Sequence, residues 1–132
     1  MDAPVFFLID DDIDDHEIFA LALSEIKESA KCIFATDGFN GIEKLNINPS
    51  FVPDFIFIDM NMPRMNGLQC LSEIRKINRL ENVPIFMYST SADPKVILEC
   101  EHLGASGFIK KQIHIADLQR ALSRILSQTT VA

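Results

Sequence analysis

Basic side chains are scarce in this sequence. Its 132 residues include 12 lysines and arginines against 19 aspartates and glutamates, which gives a formal net charge of −7 at pH 7. A protein that holds the phosphates of nucleic acid or an anionic membrane surface needs clustered positive charge. We therefore expect no nucleic-acid partner and no membrane partner.

Long apolar runs and a secretory leader are also missing. No apolar stretch approaches the ~20 residues of a transmembrane helix, and the opening segment MDAPVFFLIDDD has no basic leader and no small-residue cleavage site. The three cysteines, Cys32, Cys70 and Cys100, are widely spaced and odd in number, which suits neither a metal site nor a disulfide framework. We expect a cytoplasmic protein whose thiols are reduced and packed in the core.

Internal repeats, low-complexity tracts and interdomain linkers are absent as well, so we predict a single domain over residues 1–132. What the sequence does contain is an alternation of short apolar runs with stretches of helical spacing. The predicted strands are 5–9, 32–35, 55–58, 85–88 and 107–109, and the predicted helices are about 14–27, 38–45, 67–77, 93–103 and 115–126. Five such β–α repeats predict a parallel sheet covered by helices on both faces.

The order of the strands follows from their composition. Strands one, three and four are apolar at nearly every position, as strands covered on both faces are, whereas strands two and five are shorter and flanked by lysine, as edge strands often are. This predicts the order 2-1-3-4-5 and an α/β, flavodoxin-like (βα)5 three-layer sandwich. In the first helix, the spacing of Ile18, Leu21, Ala22 and Ile26 predicts the buried face.

Polar and charged side chains follow the predicted strands. In sheets of this topology, ligands bind beyond the carboxyl ends of the strands, where all of these side chains would meet. The residues concerned are Asp10, Asp11 and Asp12 after strand one, Asp59 after strand three, Ser89 and Thr90 after strand four, and Lys110 and Lys111 after strand five. Several carboxylates at one edge predict a cation site, and hard oxygen donors suit Mg²⁺.

One of these carboxylates can serve as a nucleophile. A carboxylate that attacks a phosphoryl group forms an acyl phosphate, and a metal and a lysine neutralise the charge on the transferred oxygens. Asp59 ends the central strand and is the best candidate for the nucleophile. Lys111 would supply the counter-charge, and the hydroxyl of Ser89 would bind a phosphoryl oxygen.

Four segments, "LIDDD", "FIDMNMPRMNG", "PIFMYSTSA" and "GASGFIKK", resemble the receiver domain of response regulators in two-component signalling, and the resemblance covers nearly all of the chain. By that resemblance, Asp59 is the phosphoacceptor, and Asp10 and Asp11 are the acidic pair. Mg²⁺ would be held by Asp11, Asp59 and the backbone carbonyl of Asn61. The resemblance also implies that Asn61 and Ser91 tune the rate at which the phosphoryl group is lost.

The same resemblance implies a switch and includes one departure. Ser89 stands at the switch hydroxyl position and Phe108 at the aromatic switch position, where it lacks the hydroxyl of a tyrosine. The family usually has proline, often in a cis peptide, after the lysine, but Lys111 is followed by Gln112. A cis peptide before a non-proline residue costs ~2.5–4 kcal/mol, so we predict a trans peptide here. Lys110 is the weaker alternative to Lys111, since adjacent strand residues point to opposite faces.

The function implied is that of a stand-alone switch and not of an enzyme with an external substrate. The domain would take a phosphoryl group from a sensor histidine kinase or a histidine phosphotransfer protein, catalysing its own phosphorylation and slow dephosphorylation. It would then signal by contact with a downstream protein or with a second copy of itself. The alternative is a pseudo-receiver that binds partners without phosphorylation, although such a module would be expected to lose Asp59, the acidic pair or Lys111.

Other interpretations of the acidic residues are weaker. An aspartyl phosphatase of the haloacid dehalogenase type needs Asp-x-Asp, but Asn61 follows Asp59 at that spacing. An EF-hand loop that starts at Asp10 lacks the required glycine and glutamate. Asp14 and Asp15 are expected to be solvated residues at a helix N-terminus. The three histidines, His16, His102 and His114, are expected to be ordinary surface or half-buried residues.

Overall fold

A five-stranded parallel sheet forms the centre of the molecule, which is described here from a computed structural model. The structure describes residues 3–91, 93–111 and 114–130. The strands are β1 (Val5–Ile9), β2 (Lys31–Ala35), β3 (Phe55–Asp59), β4 (Ile85–Ser89) and β5 (Gly107–Lys110). Their order is β2-β1-β3-β4-β5, all parallel, which confirms the predicted fold class and strand order.

Among the residues that the structure describes, five helices connect and cover the strands. They are α1 (Ile13–Ile26), α2 (Gly38–Ile47), α3 (Gly67–Ile74), α4 (Pro94–His102) and α5 (Ile115–Thr130), with a short 3-10 helix at Asn78–Leu80. The predicted strand bounds are correct to within one residue at each end. The predicted third helix is too long, since it ends at Ile74, and the predicted fifth helix is too short. None of the helices in the described part of the chain is long and apolar enough to cross a membrane.

The two faces of the sheet carry separate apolar cores, which gives the three layers. On one face, α2, α3 and α4 cover Phe7, Ile9, Ile56, Ile58, Ile85 and Met87. On the other face, α1 and α5 cover Phe6, Leu8, Phe55, Phe57 and Tyr88. Every residue of β3 is buried, and four of the five residues of β1 are. The almost uninterrupted apolar runs therefore do correspond to central strands.

The predicted buried face of α1 is partly wrong. Phe19, Ala22 and Leu23 are buried, whereas Ile18 is 43% exposed and Leu21 is 53% exposed. The ring of Phe19 contacts the ring of Phe57 edge-to-face at a centroid distance of 5.0 Å. The segment IFALAL is apolar over six consecutive residues, so spacing alone does not select a face, and the aromatic packing decides the orientation of the helix.

Side-chain caps fix where the first four helices begin. The N-cap residues are Asp12, Asp37, Asn66 and Asp93, and the side chain of each accepts a hydrogen bond from a backbone N–H in the first turn. Asp93 is followed by Pro94 at the first helical position, where the N–H that proline lacks would have no partner within the helix. Because these caps follow the carboxyl ends of strands, they hold the helix N-termini beside the edge where the charged residues meet.

Candidate functional site

The carboxyl ends of the strands bring together the polar residues predicted from the sequence. Asp10 follows β1, Asp59 is the last residue of β3 and Ser89 is the last residue of β4. All three are buried, with relative exposures of 0%, 4% and 2%. A buried polar group costs free energy unless it has a partner, so a cluster of three at one edge indicates a functional site.

Lys111 provides the positive charge of the cluster. Its Nζ atom lies 2.6 Å from Asp15 Oδ2, 3.0 Å from Asp10 Oδ2 and 3.4 Å from Asp59 Oδ1. Burial by itself lowers the pKa of the ammonium, but the hydrogen bonds to Asp15 and Asp10 and the charges of Asp10 and Asp59 outweigh it, so the pKa of Lys111 lies above its ordinary value. The neighbouring Lys110 is exposed, and Lys111 is therefore the lysine that enters the site.

Asp10 and Asp59 are harder to ionise than ordinary aspartates. Burial, followed by the charge of Asp10, raises the pKa of Asp59 to about 7, and Lys111 only partly offsets this rise. Burial likewise raises the pKa of Asp10. One lysine does not neutralise this group of acids, so further positive charge would stabilise the ionised site.

The geometry of three aspartates fits a divalent cation. Asp10, Asp11 and Asp59 each offer a carboxylate oxygen, and these oxygens lie within 4.8 Å of one another. Asp10 Oδ2 is buried, and among the described residues it contacts the Lys111 ammonium alone, at 3.0 Å, which leaves a lone pair of this oxygen for a cation. A buried oxygen of this kind beside an exposed Asp11 fits a hard cation that keeps part of its water shell.

Asn61 lies beside this acidic group on the loop after β3. Its backbone N–H donates a hydrogen bond of 3.2 Å to Asp59 Oδ1. This bond orients the carboxylate and lowers the pKa of Asp59, against the effect of burial. The backbone carbonyl of Asn61 as a metal ligand stays a prediction.

A small cleft opens next to Asp59. It has a volume of about 130 Å³ and is lined by Met60, Asn61, Ser89, Ser91, Asp93 and Val96. This is several times the ≈ 30 Å³ that one water molecule occupies in the liquid, so a small anionic group has room here. The Ser89 hydroxyl at its wall accepts a long hydrogen bond, 3.4 Å, from the backbone N–H of Ser91, the one bond it makes to residues that the structure describes. Phe108 is half-buried on β5 opposite Met87 of β4 and packs against the core.

Asp15 belongs to the site, which corrects the expectation that it is only a solvated helix residue. Its carboxylate accepts the hydrogen bond of Lys111 at 2.6 Å, and its side chain is 21% exposed. Asp14 is exposed, as expected. A signal was present, because Asp15 lies four and seven residues before the buried Phe19 and Ala22 and hence on the same face of α1.

His16 is also placed differently from the expectation. It is buried, its Nε2 atom lies 2.7 Å from the backbone carbonyl oxygen of Asp10, and its ring stacks on Phe34 at a centroid distance of 4.7 Å. It therefore supports the backbone that carries Asp10. His102 and His114 are exposed, as expected. The predicted trans peptide between Lys111 and Gln112 lies outside the described residues.

Comparison with known proteins identifies the family. The model of the response regulator receiver domain matches residues 6–123. The chain belongs to this family. Receiver domains are the signalling switches of two-component systems, and the match includes β2 to β5 in full and all of β1 except Val5.

Curated relatives of the receiver domain include whole proteins of its size and parts of longer ones. CheY-3, a chemotaxis protein of Vibrio cholerae, is 28% identical over 112 residues, which are 80% of this chain and 86% of CheY-3. Protein-glutamate methylesterase/protein-glutamine glutaminase 3 of Rhodospirillum rubrum is 35% identical over 127 residues, 91% of this chain but 33% of that protein. Hybrid signal transduction histidine kinase D of Dictyostelium discoideum is matched over 8% of its length.

Solved structures show the same fold. The phosphorylated cyanobacterial phytochrome response regulator RcpA superimposes with a TM-score of 0.86 at 23% identity, over 98% of this chain and 96% of that one. A complex of CheX with CheY, BeF3 and magnesium from Borrelia burgdorferi gives a TM-score of 0.79 at 26% identity, over 96% and 90% of the two chains. Both comparisons show that the fold is shared over nearly the whole chain.

Proposed function

We propose that this receiver domain is a phosphoacceptor switch in which Asp59 receives a phosphoryl group from a phosphohistidine donor. The observation that supports the proposal most directly is the position of Asp59. Its carboxylate ends β3 at an open edge, 3.4 Å from the Lys111 ammonium and within reach of the oxygens of Asp10 and Asp11. The chain is proposed to act as one domain over residues 1–132, in the cytoplasm as is usual for the family.

The transfer itself exchanges one bond for another. An oxygen of the Asp59 carboxylate attacks the phosphorus, an O–P bond forms, and the N–P bond to the donor imidazole breaks, with the electron pair leaving on the imidazole nitrogen. In the ionised form, Asp59 is the better nucleophile, and Lys111 favours that form. A protein of this kind catalyses its own phosphorylation and the slow hydrolysis that reverses it, without turning over an external substrate.

The other residues of the site would stabilise the negative charge on the transferred phosphoryl oxygens. Mg²⁺, when bound by Asp11, Asp59 and the carbonyl of Asn61, would neutralise charge on the transferred oxygens. Lys111 would donate a hydrogen bond to a phosphoryl oxygen, and Asp10, 3.0 Å from the ammonium, would keep it oriented. Together these groups replace the water that would otherwise stabilise the transferred group.

The signal passed to a partner protein would depend on Ser89 and Phe108. A phosphoryl group in the cleft beside Ser89 would draw its hydroxyl, whose hydrogen bond to Ser91 is 3.4 Å long. Movement of this residue at the end of β4 would change the packing of Phe108 on the adjacent β5, so the surface beyond the two strands would differ between the two states. Partners would be a sensor histidine kinase or histidine phosphotransfer protein, and a downstream protein or a second copy of the chain.

The experiment is phosphorylation with a small donor. The protein is incubated with acetyl phosphate and Mg²⁺, and the intact mass is measured for the wild type and for Asp59→Asn. We expect a mass gain of one phosphoryl group in the wild type alone, and none in the wild type when EDTA is present. Either an unmodified wild type or a modified Asp59→Asn would contradict the assignment and would favour the pseudo-receiver alternative.

A further inference from the structure

Among the described residues, the carboxylate nearest to the Lys111 ammonium is not that of the proposed phosphoacceptor. Nζ lies 2.6 Å from Asp15 on α1, compared with 3.4 Å from Asp59 on β3. The shorter of its hydrogen bonds to the two other carboxylates is the one donated to Asp15. The ammonium is therefore held towards α1, away from the position where a phosphoryl group on Asp59 would need it.

Asp15 is not needed to keep Lys111 in the site. The fully buried Asp10 holds the ammonium at 3.0 Å, and the backbone N–H of Lys111 donates a 2.6 Å hydrogen bond to the carbonyl of Ser89. The ammonium also lies 5.2 Å from the centre of the Tyr88 ring. With these restraints, loss of the Asp15 carboxylate would leave the lysine near Asp10 and Asp59.

We propose that Asp15 is a positioning residue that competes with the phosphoryl group for the Lys111 ammonium and so favours the unphosphorylated state. The proposal rests on the function proposed above and adds a regulatory residue to it. A phosphoryl group on Asp59 has to share or displace the Asp15 ion pair, and the negative charge of Asp15 also repels the incoming anion. Both effects weaken the binding of an anion at Asp59, so removal of the Asp15 charge should make the site bind a phosphoryl-like anion more tightly.

Beryllofluoride is the probe that tests this, because it imitates the phosphoryl group without hydrolysis. The chain contains one tyrosine and no tryptophan, and that tyrosine is Tyr88 beside Lys111, so tyrosine emission reports directly on the ammonium. The wild type, Asp15→Asn, Asp15→Glu and the control Asp14→Asn are titrated with beryllofluoride at saturating Mg²⁺. Asp14 is the matched control because it is the adjacent residue, has the same charge and is exposed.

We expect Asp15→Asn to bind beryllofluoride about three- to tenfold more tightly than the wild type. The affinities of Asp14→Asn and Asp15→Glu for beryllofluoride should stay within about twofold of the wild-type value. Asp14→Asn keeps the ion pair between Asp15 and Lys111, and Asp15→Glu keeps a carboxylate that can reach Lys111. The gain of Asp15→Asn should shrink as salt is added. Mg²⁺ alone should bind Asp15→Asn no more tightly than the wild type, because a cation gains nothing from the loss of a carboxylate.

The outcomes separate the two proposals. Equal or weaker beryllofluoride binding by Asp15→Asn, with normal binding by the wild type, overturns the role of Asp15 and leaves the proposed function intact. Equal gains from Asp14→Asn and Asp15→Asn also overturn it, because the effect would then be one of net charge alone. No binding by the wild type in Mg²⁺ would overturn the proposed function and this inference together. Should Asp15→Asn not fold, Asp15→Ser carries the same expectation.

Discussion

Gly67 packs directly against the backbone of Asp59. A Cβ atom added at Gly67 would lie 2.6 Å from the Asp59 carbonyl oxygen and 2.7 Å from the Cα of Met60. Neither backbone atom can rotate away, so Gly67→Ala should displace the end of β3 and destabilise the fold by about 1–3 kcal/mol. Urea unfolding measures the loss, and the titration of Mg²⁺ shows whether Asp59 has moved.

Gly38→Ala is the matched control for Gly67→Ala. Gly38 and Gly67 are each the first residue of a helix, after an N-cap side chain. A Cβ atom at Gly38 would meet Met65, whose Sδ atom lies at 2.7 Å, and this flexible side chain can move. We expect Gly38→Ala to cost less than half of what Gly67→Ala costs, and equal losses would show that the contact with Asp59 is not what matters.

The ionised Asp59 carboxylate should lower the stability of the metal-free protein. Its pKa of about 7 in the folded state lies above the ordinary 3.8, so the folded state binds the proton more tightly than the unfolded chain does. The contribution of Asp59 to stability is therefore present at low pH and is lost as the pH rises between these two values. Without Mg²⁺ at pH 8, Asp59→Asn should be more stable than the wild type by about 1–3 kcal/mol.

The test compares unfolding of the wild type and Asp59→Asn in EDTA at pH 8 and near pH 4.5. The advantage of Asp59→Asn should be large at the higher pH and small at the lower one, where the wild-type carboxyl is protonated. Saturating Mg²⁺ at pH 8 should also reduce the advantage, since the cation binds only the wild type well. A constant difference at all pH values would contradict the raised pKa.

The sequence was sufficient to predict the strand order of the sheet and the edge at which the site lies, because both depend on local pattern. Apolar runs distinguished β1 and β3 from the edge strands, and parallel strands carry whatever follows them to one edge. In this way Asp10, Asp59 and Lys111 could be placed together without any knowledge of their distances.

Two features that could not be predicted from the sequence depend on tertiary contacts. The end of α3 is one example, since the guanidinium of Arg75 donates to the backbone carbonyls of Gly104 and Leu80 and the chain turns there into a 3-10 helix. Asp15 is the other, since an acidic residue in the first helical turn is equally consistent with solvent and with a lysine that is distant in sequence. Its spacing from Phe19 and Ala22 becomes informative once their burial is known, and only the fold shows that Lys111 faces it.

Mg²⁺ should stabilise the protein through the acidic residues at the site. A ligand at about one hundred times its dissociation constant adds about 2.7 kcal/mol to the free energy of unfolding. Thermal unfolding of the wild type should therefore shift upward with Mg²⁺ and return on addition of EDTA. Asp11→Asn should lose most of this shift with little change in metal-free stability, because Asp11 is exposed. An undiminished shift in Asp11→Asn would remove it from the set of ligands.

Ser89→Ala should separate binding of the phosphoryl group from the response to it. The Ser89 hydroxyl is buried, and the hydrogen bond that it makes to the described residues is 3.4 Å long, so its removal should leave the fold and the acidic residues in place. In two-dimensional NMR with beryllofluoride and Mg²⁺, the wild-type resonances should shift at the carboxyl ends of the strands and also around Phe108. The resonances of Ser89→Ala should shift at the carboxyl ends of the strands alone. Thr90→Ala is the control, since Thr90 is adjacent but exposed, and it should respond like the wild type. Shifts around Phe108 that persist in Ser89→Ala would show that the signal reaches β5 without this hydroxyl.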